Sequence, residues 1–99
     1  MLNINKEKDE NNLTIKLAGR LDTTTAPEME EELKKSLDGV TTLAIDCTEL
    51  EYISSAGLRV LLSAQKIMNK QGNMVIRNAS EEIKEIFDIT GFSDILTIQ

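Results

Sequence analysis

Leu43-Ala44-Ile45-Asp46-Cys47, then Thr48-Glu49-Leu50-Glu51-Tyr52, then Ile53-Ser54-Ser55-Ala56-Gly57-Leu58-Arg59-Val60-Leu61-Leu62: the reading of this stretch decides the fold. Leu43, Ile45 and Cys47 alternate with the small Ala44, the pattern of a short strand covered on both faces. The five residues after Cys47 read as a polar turn. From Leu58 the period changes. Leu58, Leu61, Leu62, Ala64, Ile67 and Met68 fall on overlapping stripes of helical period, which predicts a helix buried at its start and half-exposed near Gln65, Lys66, Asn69 and Lys70. Ser54 stands where an N-cap belongs, its oxygen placed to accept an amide hydrogen of the first turn, with Ser55, Ala56 and Gly57 as the first helical positions. A glycine there costs roughly 0.5 to 1 kcal/mol against alanine, so something has to need it. Either the turn packs against a neighbouring strand, or a partner's surface comes close to the backbone at Ser55.

Toward the amino terminus, Leu2 and Ile4 alternate as a short edge strand, Lys6 to Asn12 reads as a charged turn, and Leu13, Ile15 and Leu17 alternate with Thr14, Lys16 and Ala18. The two strands make a hairpin. Gly19-Arg20-Leu21-Asp22 ends that unit and leads into three threonines. Ala26, Met29, Leu33 and Leu37 then form an apolar helical stripe opposite Glu28, Glu31, Glu32 and Lys35. Thr25 and Glu28 have capping-box spacing, Pro27 is tolerated in a first turn, and Gly39 stops the helix. Toward the carboxyl terminus, Gln71-Gly72-Asn73 closes the central helix and Met74-Val75-Ile76 reads as another inner strand. Asn78 or Ser80 caps a third helix with Ile83, Ile86 and Phe87 inward; Thr90-Gly91 breaks it. Phe92, Ile95, Leu96 and Ile98 form a tail that packs on the core as a helical turn or a short strand. The element order predicts an α/β domain whose mixed, mostly parallel sheet is joined by right-handed crossovers and packed with helices.

Ninety-nine residues form one domain, 1–99, with a single core of moderate depth. The aromatic residues are Tyr52, Phe87 and Phe92, so the core is aliphatic. A net charge of -6, with no histidine and no Lys/Arg cluster, argues against direct nucleic-acid or anionic-membrane binding and for a basic partner surface. Met1 to Asn5 carries no leader pattern and no apolar segment reaches spanning length, which sets the expectation of a soluble, cytoplasmic protein, a monomer or weak dimer on its own. Cys47 is the lone cysteine, so a disulfide and a zinc ligand set are both absent from the pattern, and it reads as a small core hydrophobe. No metal or cofactor is expected.

Parallel sheets bind at the carboxyl ends of their strands. The turn from Tyr52 to Gly57 lies there, Asn78 is expected there, and Asp22 joins them if the strand ending at Leu21 runs parallel to the central one. Catalytic residues are not apparent. There is no phosphate loop, no dinucleotide fingerprint and no G-x-S-x-G elbow around Ser54 or Ser55. An enzyme would need Asp22, Asp46 or Glu49 paired in a pocket, and nothing in their spacing pairs them. Asp46 has a structural use as an acceptor for backbone hydrogens after its strand.

The run Ile53 to Leu62, preceded by Ile45-Asp46 and Leu50, together with Gly19-Arg20-Leu21-Asp22 before an Ala/Pro/Glu-rich helix start, resembles the signature of the STAS domain, in particular the bacterial anti-sigma factor antagonists. The resemblance covers nearly the whole chain. It implies a small sheet of about four to five strands packed with helices, and a non-enzymatic regulator. Such a regulator binds an anti-sigma factor serine kinase of the histidine-kinase-like ATPase class, frees its sigma factor, and is switched off when the kinase phosphorylates one serine. ATP and magnesium would belong to the kinase. Residue by residue, that serine falls on Ser55, two before Gly57. The position before it is often aspartate in the family and is Ser54 here, which removes a charge but keeps a capping side chain. Asp22 falls where the family places an acidic residue in its partner surface, and Asp22, Thr23, Ser54, Gly57 and Arg59 are the candidate contacts. The physical argument points the same way: Ser54 is occupied as the cap and Ser55 stands free. A non-switching STAS scaffold, or an adaptor in a signalling or transport-associated complex, is the alternative.

Overall fold

The computed structural model describes residues 1–99. Strands β1 (Leu2–Asp9), β2 (Asn12–Leu21), β3 (Thr42–Ile53) and β4 (Asn73–Arg77) lie side by side in chain order, β1 antiparallel to β2 and the rest parallel. Helices α1 (Ala26–Ser36), α2 (Ser55–Gln71) and α3 (Glu81–Thr90) connect and follow the parallel strands. Each crossover steps in the same direction across the sheet, so right-handed connections place the helices on one face. Leu13, Ile15, Leu17 and Leu21 of β2, Leu43, Ile45 and Cys47 of β3, and Met74 and Ile76 of β4 meet Met29, Leu33, Leu61, Met68, Ile83 and Phe87 there in a single core. The other face is open and polar. Lys16, Asp46 and Arg77 fall in one cross-strand row on it, and Lys16 pairs with Glu7 at 3.2 Å.

The hairpin forms, with a longer first strand than expected. β1 runs on through Lys6 to Asp9, and Glu10, at φ 56°, turns the chain with Asn11. Lys6 lies on the helix side of the sheet and reaches Glu32 at 2.6 Å and Ser36 at 3.2 Å on α1, so a charged residue extends the strand by finding partners on a distant helix.

The expected turn after Cys47 is also strand. Against β2, Lys16 faces Asp46 and Ala18 faces Glu49, then Gly19 faces Leu50 and Arg20 faces Tyr52. Two extra residues are therefore accommodated in β3 as bulges, each moving the inward face on by one. Inward positions become Leu43, Ile45, Cys47, Leu50 and Ile53, all buried, while Thr48, Glu49, Glu51 and Tyr52 remain outside. The polar run that reads as a turn is the outside of a bulged strand.

β4 is an edge strand and not an inner one. It is covered only at Ile76, whose N–H donates to Thr97 O and whose carbonyl accepts from Gln99 N–H, both at 2.8 Å, so the tail supplies a rudimentary fifth strand at Ile98. Before it, Phe92–Asp94 form one turn of 3-10 helix and Leu96 is buried. Ser80, not Asn78, caps α3, accepting Ile83 N–H at 3.2 Å. Thr25 makes no capping bond to α1, and the expected capping box is absent. Its hydroxyl donates to Arg20 O and accepts Asp22 N–H, each at 2.8 Å, and so is used up by the loop that precedes the helix.

Candidate functional site

The parallel pairing of β2 with β3 brings their carboxyl ends together. Leu21 faces Ile53, and Ser54 N–H donates to Leu21 O at 2.9 Å. The loop from Asp22 and the start of α2 thus leave the sheet at the same place. Ser54 sits in extended backbone and its hydroxyl accepts Gly57 N–H at 3.3 Å, the N-cap expected from the sequence. Ser55 is the first helical residue and is exposed. Its neighbour is therefore committed to the fold while its own side chain faces solvent.

Asp22 is fixed by the threonines that follow it. One carboxylate oxygen accepts from the Thr24 hydroxyl at 2.8 Å, Thr24 N–H at 3.1 Å and Thr25 N–H at 3.2 Å. These donors, the Thr24 hydroxyl first, hold its carboxyl down to about 2. Its other oxygen lies 3.6 Å from Arg20 Nε, and the Arg20 guanidinium stacks over the Tyr52 ring at 4.5 Å. Arg20 and Tyr52 are thereby joined to the Asp22 loop, a contact that the sequence reading did not anticipate. Their signal is the register Arg20 to Tyr52, which depends on two bulges that no local pattern announces.

Thr23, Pro27 and Glu30 from the first helix and its approach face Ala56, Arg59 and Ser63 of the central helix across a groove of about 220 Å³. Thr23 and Arg59 thereby line one groove, and Ser55 precedes Ala56 of that lining in the chain. Gly57 is not part of this surface. It is buried, and a Cβ there would stand 2.8 Å from Ile53 Cγ1, Leu21 Cγ and Leu21 O. Of the two readings open at this glycine, packing of the turn on the strands is the one these contacts explain, and a partner's approach is not needed to account for it.

Asn78 is likewise elsewhere. Its amide donates to Asp46 Oδ1 at 3.3 Å, because β4 ends opposite Asp46 while β3 continues to Ile53. The same oxygen accepts the Thr48 hydroxyl at 2.6 Å and Thr48 N–H at 2.9 Å, which lower the Asp46 pKa. A larger concavity of about 400 Å³ on the open sheet face includes Asp46, Thr48, Lys16 and Glu49 but neither Asp22 nor Ser55. Asp22 and Asp46 are thus not paired, and both are shifted toward the ionised form, opposite to what a general acid needs. Cys47 is buried and its thiol is pushed up to about 12 by burial, with Asp46 adding to it. No helix is long and apolar enough to cross a membrane.

Among known proteins, the anti-sigma-B factor antagonist of Bacillus subtilis is 33% identical over 98 residues, 98% of this chain and 90% of that protein. The anti-sigma-B factor antagonist of Listeria monocytogenes is 37% identical over 97 residues, 95% of this chain and 84% of that one. The fold matches that of the Bacillus cell fate determinant SpoIIAA in its phosphorylated form with a TM-score of 0.76 at 18% identity, over 98% of this chain and 91% of that one. The family model described as STAS domain matches residues 3–99, and with relatives of this similarity over nearly its full length the chain belongs to the STAS domain family.

Proposed function

We infer that the protein is an anti-sigma factor antagonist: it binds an anti-sigma serine kinase of the histidine-kinase-like ATPase class, frees the sigma factor that kinase holds, and is switched off by phosphorylation of Ser55. The observation that carries this reading is the unequal use of the two serines. Ser54 is tied to the helix end and Ser55 is exposed beside it. The names of the two relatives support the antagonist role, and a neighbour of the same fold exists in a phosphorylated form. Asp22, Thr23, Ser54 and Arg59, at the same end of the sheet as Ser55, form the partner surface. The kinase supplies ATP and magnesium. A phosphate on Ser55 adds a charge of about -1.5 to -2 at a surface that accommodates a neutral serine, which penalises the complex without unfolding the helix, whose positive end tolerates an anion.

The test is incubation with a cognate anti-sigma kinase and ATP, followed by mass spectrometry. Phosphate is expected on Ser55 and not on Ser54, Ser55→Ala should abolish uptake while leaving complex formation intact, and Ser55→Asp should weaken it in part. Modification of Ser54 would overturn the assignment. If no candidate kinase forms a complex or modifies either serine, the non-switching scaffold is the correct description.

A further inference from the structure

We propose that a phosphate on Ser55 is gripped by Arg59 of the same helix, so that modification withdraws Arg59 from the groove between α1 and α2 while adding charge at the helix start. The proposal rests on Ser55 being the residue that carries phosphate. Ser55 opens α2 and Arg59 lies four residues on, both exposed. Residues at this spacing share a helix face, and helical side chains lean toward the amino terminus, so the Arg59 side chain is directed back over Ser55. The order acceptor first, cation second is the favourable one for such a pair.

Arg59 is free to respond. It takes part in none of the ion pairs of the protein, which join Lys6 to Glu32, Lys16 to Glu7, Arg20 to Asp22 and Lys35 to Glu31. The first turn of α2 holds no acidic residue, whereas α1 begins with Glu28 and α3 with Glu81 and Glu82. The acidic residue that lines the same groove as Arg59 is Glu30. A phosphate carries more charge than that single carboxylate and offers three acceptor oxygens to a guanidinium fork. In the unmodified protein the groove therefore holds one cation and one anion. Once Ser55 is phosphorylated, Arg59 neutralises the phosphate and Glu30 is left to set the sign of the groove. A partner that uses Arg59 loses that contact in addition to meeting a new negative charge.

The experiment places phosphoserine at position 55 during translation, so it does not depend on any kinase. The second ionisation of the phosphate is followed by phosphorus NMR in the otherwise native chain and in Arg59→Gln, and the Arg59 side-chain N–H signal is compared with and without the phosphate. The expected result is an ionisation lower by about half a pH unit when Arg59 is present, a shifted Arg59 signal in the phosphorylated protein only, and partial retention in Arg59→Lys. Thermal melts confirm that each exposed substitution leaves the domain folded. Equal ionisation in the native and Arg59→Gln proteins, or an Arg59 signal indifferent to the phosphate, overturns the proposal. Failure of a kinase to modify Ser55 would instead count against the function inferred above and leave this measurement untouched.

Discussion

Replacing Gly57 with alanine adds a single methyl group at the point where the central helix leaves the sheet. That carbon would meet three atoms at 2.8 Å, where ordinary carbon contacts lie at about 3.5–4.0 Å. Ile53 Cγ1 and Leu21 Cγ belong to side chains that can shift slightly. Leu21 O cannot do so freely, because it accepts Ser54 N–H at 2.9 Å and so ties the end of β2 to the start of α2. Overpacking of this kind costs about 1–3 kcal/mol, against a gain of up to about 1 kcal/mol from the better helix propensity of alanine. Because one of the three contacts is a backbone oxygen, the upper part of that cost applies, so the expected net loss is about 1–2 kcal/mol, which for a domain of this size lowers Tm by roughly 5–15 °C. Gly57→Val should lose more. Urea denaturation followed by circular dichroism gives the free energy, and partner affinity measured on folded protein should change little for Gly57→Ala. An alanine variant as stable as the parent would refute the packing argument. A folded and equally stable variant that no longer binds would return Gly57 to the partner surface.

Acid should expose the role of Asp22. Its carboxyl is held at about 2 in the folded chain, below the value of about 3.9 for a free side chain, so its contribution to stability is complete above pH 4 and is lost as pH falls from about 4 to 2. Asp22→Asn should flatten the dependence of Tm on pH in that window, and an NMR titration giving an ordinary carboxylate value would contradict it. Ser54→Ala removes the cap of α2 and should cost about 1 kcal/mol in urea denaturation, whereas Ser54→Asp should keep most of it; an alanine variant of unchanged stability would show that the cap does not matter. The thiol of Cys47, buried and pushed up to about 12, should react with an aromatic disulfide reagent at pH 8 only as fast as the domain opens, and a rate like that of a free thiol would place Cys47 at the surface.

What the sequence made legible was local. The alternation of Leu13, Ile15 and Leu17, the helical stripe from Leu58 onward, and the cap at Ser54 are each decided within a few residues, and the structure keeps them, while between Asn78 and Ser80 it takes Ser80 as the third cap. Lys6 was misread because the partner that holds it on the sheet, Glu32, lies far along the chain. Thr48 to Tyr52 were misread because two bulges break the period of two, so Leu50 and Ile53 face inward three residues apart. At the start of α2 the cap at Ser54 and the exposure of Ser55 follow from their positions, but what Gly57 packs against turned on which strand ends lie beneath it. The contact of Arg20 with Tyr52 was not legible because it exists only once the parallel register is known.

The same two bulges divide the labour along β3. Past Asp46 the strand has no β4 beside it, and Cys47, Leu50 and Ile53 carry its hold on the core. Thr48, Glu49, Glu51 and Tyr52 stand outside that hold, and of these the Glu49 and Glu51 side chains make no hydrogen bond or ion pair, so their substitution changes the outline of this end of the strand at little cost to folding. A duplicated copy of this domain can therefore drift toward a different partner through these outward positions, keeping the inward Leu50 and Ile53, the capped serine and the exposed one unchanged.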